Sequence, residues 1–156
     1  MRICIVISNF YPNISKLLKA GAITKLGKHN YKIIYVPGTF EIPVIISNLI
    51  NKYDAFIALG CIIKGKTSHY HHLCTSVVNS ISDLSVKSKK PIGNGILTCD
   101  NIKQALIRAN PNKKNKGGEA AEAVLSVLNI IKYESKWSFA KSKSYSNSEI
   151  IQPSLE

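Results

Sequence analysis

In residues 60 to 72, GCIIKGKTSHYHH, the end of an apolar run is followed by a glycine, two lysines, a threonine and three histidines. Gly65 permits a tight turn, and the unpaired backbone amides where a helix begins bind phosphate well. Lys66 and Thr67, at the start of the predicted helix, add a charge and a hydroxyl donor. This junction can therefore hold a phosphate monoester without a metal. His69 falls in the first turn of that helix. An imidazole with an ordinary pKa of about 6.5 passes protons in both directions near neutral pH, as amine addition to a carbonyl and loss of phosphate both require. Taken alone, His69 also fits a solvent-facing helix position; the anion-binding turn beside it favours the acid/base role. Residues two apart on a helix diverge, so only His69 and His72 can share a face, and no metal site is read from the three histidines.

Three further segments hold polar or aromatic residues that a plain loop does not need: SNFYPN at 8 to 13, PGTFEIP at 37 to 43, and GNGILTC at 93 to 99. Phe10 either covers the end of a sheet or stacks on a flat ligand. Thr39, Phe40 and Glu41 stand at a sharp turn that opens a helix. Glu41 there either favours the helix dipole or accepts hydrogen bonds from a ligand. Arg108, late in its predicted helix, can serve the dipole, and its planar fork also matches phosphate oxygens. Lys116, in NKGG, is either a ligand contact or one more solvated cation beside Lys113 and Lys114.

The elements that must position these residues alternate from the start of the chain. Apolar runs predict strands over residues 3 to 8, 31 to 36, 55 to 63 and 91 to 98. Helical spacing places a first helix from about Asn13, as its cap, to about His29, with Ile14, Leu18, Ala22 and Leu26 buried. Further helices are expected over residues 41 to 52, 67 to 86 and 101 to 110, the last capped by Cys99 or Asp100 and burying Ile102, Ala105, Leu106 and Ala109. A final helix follows Gly117 and Gly118, with Ala120, Val124, Leu128 and Ile131 as its apolar stripe. Strands alternating with helices, joined by right-handed crossovers, predict a three-layer α/β/α sandwich with a flavodoxin-like four-stranded parallel sheet. Ligands then belong beyond the carboxyl ends of the strands, where the segments above fall.

The chain has 156 residues, which fits one domain, read here as residues 1 to 134, followed by a polar and mobile tail from 135 to 156. Cys4, Cys61, Cys74 and Cys99 are scattered without a C-x-x-C pair, which points to reduced thiols in a cytoplasm. The amino terminus has neither a secretory cleavage pattern nor an apolar stretch long enough for a membrane span. A formal charge of +12 favours phosphate-bearing partners, either nucleic acid or a phosphorylated metabolite. The basic clusters at Lys87, Lys89, Lys90 and Lys113, Lys114, Lys116 lack interleaved aromatics and any known binding motif, which disfavours nucleic acid. A noncatalytic flavin- or nucleotide-binding domain would explain the fold but not His69, Glu41 and Arg108 together.

In order and spacing, these segments with NIKQALIRA and NKGGEAA resemble the lumazine synthase family over roughly residues 3 to 131. The resemblance implies a transferase-type condensing enzyme of riboflavin biosynthesis. Such an enzyme joins 5-amino-6-(D-ribitylamino)uracil to 3,4-dihydroxy-2-butanone 4-phosphate with release of phosphate and water, the penultimate step, and uses no cofactor or metal. It implies His69 as the acid/base; Phe10, the Ile62 and Ile63 backbone, Thr39, Phe40, Glu41, Asn94 and Lys116 around the ribitylaminouracil; and Lys66, Thr67 and Arg108 around the butanone phosphate. It also implies a homopentamer with sites built across subunit interfaces, and a functional link to riboflavin synthase. This chain departs from the family pattern at Asn94, where an aromatic is usual, and at Lys64, where an arginine is usual. It also opens directly on its first core strand, without the extra amino-terminal strand of many relatives, which leaves higher assembly open.

Overall fold

The computed structural model describes the backbone of residues 1–145 and side-chain burial through residue 135. Four parallel strands, β1 (Arg2–Ser8), β2 (Asn30–Val36), β3 (Ala55–Ile63) and β4 (Ile92–Cys99), form one sheet in the order β2-β1-β3-β4. The expected flavodoxin-like sandwich is observed. β1 and β3 occupy its centre, and their near-continuous apolar sequences, RICIVIS and AFIALGCII, suit strands covered on both faces. Ile5 pairs with Ile33 on one side and Ile57 on the other, while Ile63 pairs with Cys99 at the carboxyl edge.

Helices α1 (Pro12–Leu26), α4 (Ile102–Ala109) and α5 (Lys116–Tyr145) cover one face, and α2 (Ile42–Leu49) and α3 (His69–Ser88) the other. Strand alternation divides the core accordingly. Ile3, Ile5, Ile7, Ile57 and Leu59 meet α1 and α5, whereas Cys4, Val6, Phe56 and Ala58 meet Ile42, Ile46, Val77 and Ile81. Gly117 sits where α1 and α5 cross, so close that a Cβ would collide with the Leu18 carbonyl. The glycines of NKGG thus have a packing reason of their own.

Several local expectations are corrected. Asn13 is not the cap of α1: Tyr11 is, and Pro12 opens the helix, because a proline's missing amide costs nothing there. The helix stops at Leu26, with Gly27 at φ 55°. A 3₁₀ turn over Thr39–Glu41 precedes α2, so the predicted helix start at 41 is really a tighter turn. Neither Cys99 nor Asp100 caps α4; the Asn101 side chain does, accepting from the Gln104 amide at 2.9 Å. On α4 only Ala105 and Ala109 are buried, while Ile102 and Leu106 stay exposed, and Ile131 of α5 is 48% exposed. The side of α4 that meets the core is its alanine side. Residues 135 to 145 continue α5 past the boundary expected at 135, although their sequence shows no clear apolar period.

Candidate active site

In the order β2-β1-β3-β4, the chain leaves β1 toward one side of the sheet and β3 toward the other, and a crevice opens between their carboxyl ends. A cleft of about 620 Å³ occupies that crevice. Its lining comes from the loop after β1 (Phe10, Tyr11), the turn after β2 (Gly38, Thr39, Phe40), the end of β3 (Cys61, Ile62, Ile63) and the connection into α3 (Gly65, Thr67, His69). These residues are far apart in sequence. The sheet brings them together because parallel strands deliver all their carboxyl ends to one edge.

Each segment is fixed by local packing. Ser8, 1% exposed, ends β1; its carbonyl accepts from the Ser15 hydroxyl at 2.5 Å, which ties the first loop to α1. Phe10 projects beyond that anchor, 67% exposed, and meets Tyr11 edge-to-face with ring centroids 5.0 Å apart. Thr39 is buried against β3. Gly60 makes this possible, since a Cβ there would lie 2.7 Å from the Thr39 methyl and 3.1 Å from the Ser8 Cβ. Phe40, next along, stands 63% exposed. Large aromatics left open at the rim of an apolar cleft offer faces for a flat ligand.

The connection into α3 differs from expectation in one respect. Lys66 and Thr67 lie in a bend before the helix, and His69 is the first helical residue. Ser68 makes no side-chain cap, so the first amides of α3 remain available beside Thr67 and His69. Lys66 is exposed and does not line the cleft. Tyr70 does; its phenol lies beside Thr98 and Cys74, and burial pushes its pKa above the ordinary value. Burial also pushes the Cys61 thiol at the cleft floor up to about 12, with Cys99 alongside raising it further. That thiol stays protonated near neutral pH and makes a poor nucleophile.

Of the residues singled out from sequence, Phe10, Thr39, Phe40, Ile62, Ile63, Thr67 and His69 line one cleft. Glu41 borders it: the carboxylate folds back over Gly38, 2.8 Å from where a Cβ would stand. Besides Lys66, three residues do not join it within the chain. Asn94 is on β4 opposite Ala58, four residues short of Thr98, which pairs with Ile62 at the cleft; its side-chain oxygen accepts from the Ile96 amide at 3.0 Å. Arg108 is exposed in the last turn of α4, where its charge opposes the burial that raises the Cys99 thiol. Lys116 opens α5 in an ion pair with Glu119. Sequence reasoning gave no site role to Tyr11, Tyr70, His72, Leu73 and Ser76, which also line the cleft, although it had placed His72 on the face of His69. The signal for the last three was available as a 3-4 spacing from His69.

Residues 1–132 match the family model described as 6,7-dimethyl-8-ribityllumazine synthase. A protein of Buchnera aphidicola subsp. Schizaphis graminum (strain Sg) named 6,7-dimethyl-8-ribityllumazine synthase is 45% identical over 138 residues, which span 83% of this chain and 87% of that relative.

Proposed function

The chain belongs to the 6,7-dimethyl-8-ribityllumazine synthase family, and on that premise we propose how its cleft performs the family's condensation of 5-amino-6-(D-ribitylamino)uracil with 3,4-dihydroxy-2-butanone 4-phosphate. One observation carries the reading: Phe10, the Thr39–Phe40 turn, the end of β3 and His69 share a single cleft at the carboxyl edge of the sheet. Phe10 stacks on the pyrimidine, and backbone groups of Ile62 and Ile63 meet its polar edge. Thr39, Phe40 and Glu41 hold the ribityl chain. The bend from Lys64 to Ser68 and the open start of α3 hold the phosphate, with Lys66 turned toward it once the anion is bound.

The free amine of the pyrimidine attacks the ketone carbon, and the resulting carbinolamine loses water to an imine. Elimination of phosphate, tautomerisation and ring closure with loss of a second water give the lumazine. Every step moves protons, and no net oxidation occurs. His69, beside the phosphate-binding bend, takes the amine proton and returns it to a leaving oxygen. Orientation supplies much of the acceleration, since effective molarities of about 10⁵ M or more are available to two molecules held in register.

Arg108 and Lys116 lie on helices packed against the opposite face of the sheet from α3. Their roles, and that of Asn94, are therefore assigned to the cleft of a neighbouring copy. A contact of one surface with a different one repeats head to tail and closes into a ring, here of five chains. The exposed Ile102, Leu106 and Ile107 on α4 are consistent with a surface that a neighbour covers. The protein is placed in the cytoplasm, upstream of riboflavin synthase. Mixing the purified protein with both substrates tests the activity: fluorescent lumazine should accumulate with one phosphate released per turnover, and absence of both refutes it.

A further inference from the structure

His72 and Ser76 have no part in the chemistry assigned so far, yet both side chains line the cleft. They share one stripe of α3 with His69 and Leu73, spaced by three and four residues, whereas His71, Cys74 and Thr75 do not line it. α3 rises about 1.5 Å per residue, so His72 stands roughly 4.5 Å and Ser76 about 10 Å along the axis from His69. They continue the lined stripe of α3 away from the bend before the helix, and α3 packs beside the Thr39–Glu41 turn that lines the same cleft. Some helical hydroxyls return to their own backbone, as at Thr24, Ser126 and Ser135. Among the described residues Ser76 makes no such bond, and the His72 ring is exposed.

We infer that His72, supported by Ser76, is a substrate-positioning residue that hydrogen-bonds the hydroxyls of the ribityl chain. The inference rests on the reading of the cleft given above. The three parts of the two substrates make different demands. The heterocycle needs aromatic faces and backbone groups, which Phe10 and the β3 end provide. The phosphate needs charge and amides, which the bend before α3 provides. A neutral polyol needs groups that both donate and accept, and an imidazole and a hydroxyl one helical turn apart do so along its length. Glu41, as a carboxylate, only accepts. His72 therefore adds a donor to complement the Glu41 acceptor.

The test is steady-state kinetics of His72→Ala with each substrate varied in turn, repeated with a pyrimidine whose ribityl chain is replaced by an unhydroxylated alkyl chain of equal length. KM for the ribityl substrate should rise roughly three- to tenfold, as for the loss of one neutral hydrogen bond. KM for the butanone phosphate should hold, and the alkyl analogue should not distinguish variant from parent. The exposed position of His72 leaves folding intact. An unchanged KM for the ribityl substrate, a rise confined to the phosphate substrate, or an equal loss with the alkyl analogue would overturn the inference while leaving the family reading in place. Failure of the parent protein to form lumazine would overturn both.

Discussion

His69 stands apart from the other two histidines of its segment because of what precedes it. The bend at Lys66 and Thr67 leaves a helix start without a side-chain cap beside the imidazole, and the proposed mechanism joins proton transfer and anion binding at that point. His69→Ala should lower kcat by about 10²-fold to 10⁴-fold yet leave measurable turnover, because orientation of the two substrates survives the loss of the acid/base. Unchanged turnover in that variant would remove His69 from the mechanism. The buried cysteines give a second residue-scale expectation. Burial holds the Cys4 thiol at about 11, above its ordinary 9.0, with Lys32 pulling the other way. A raised pKa means that folding favours the protonated form. The stability this contributes is complete below pH 9.0 and is lost as pH rises toward about 11. A plot of melting temperature against pH should therefore fall less steeply across that window in Cys4→Ala than in the parent, and should run parallel to it below. His69, Phe10 and Thr39 were legible in the sequence because glycine- and proline-marked junctions flag strand ends. The spacing put His72 on the face of His69, but neither it nor Ser76 was given a site role, since a polar residue inside a helix looks the same whether it faces solvent or a cleft.

At the scale of elements, strands were read well and helix ends less well. Parallel strands buried on both faces leave long apolar runs, which is why β1 and β3 stand out. Helix starts depend on which neighbour captures the first amides. Asn101 rather than Asp100 caps α4, and Pro12 displaces Asn13 from the cap of α1, choices that composition alone does not separate. The apolar spacing of α4 was visible, but which side of it meets the sheet is decided by Ala105 and Ala109. Lys90, one of the basic residues that had raised the prospect of nucleic acid, proves to be an internal tie. Its ammonium donates to the carbonyls of Ile50, at 2.5 Å, and Tyr53, at 2.7 Å, joining the end of α3 to the chain after α2. Lys90→Met, which keeps the length but not the donors, should cost about 1.5–3 kcal/mol in denaturant unfolding, as for hydrogen bonds to a charged group. Its KM values should not move, because the tie lies at the far end of α3 from the cleft.

On the proposed reading, the whole molecule presents one half of a site. Its cleft holds the aromatic, the polyol-facing turn and the imidazole, while the cations that would grip phosphate most firmly sit on helices behind the sheet. The net charge of +12 is spent on several tasks. Lys90 ties carbonyls, Lys116 pairs with Glu119, Lys87 pairs with Asp83, and Arg108 makes no ion pair among the described residues. A single sequence did not place exposed Ile102 and Leu106 correctly, because apolar periodicity does not say which flank of a helix meets the sheet. The most direct test of the shared site is complementation between two crippled variants. His69→Ala and Arg108→Ala, each assayed alone, should have little activity; unfolded together in equal amounts and refolded as mixed rings, they should recover about a quarter of wild-type lumazine formation, since one interface in four then joins an intact cleft to an intact Arg108. Mixed rings with no more activity than the sum of the separate variants would contradict an active site shared between neighbouring copies.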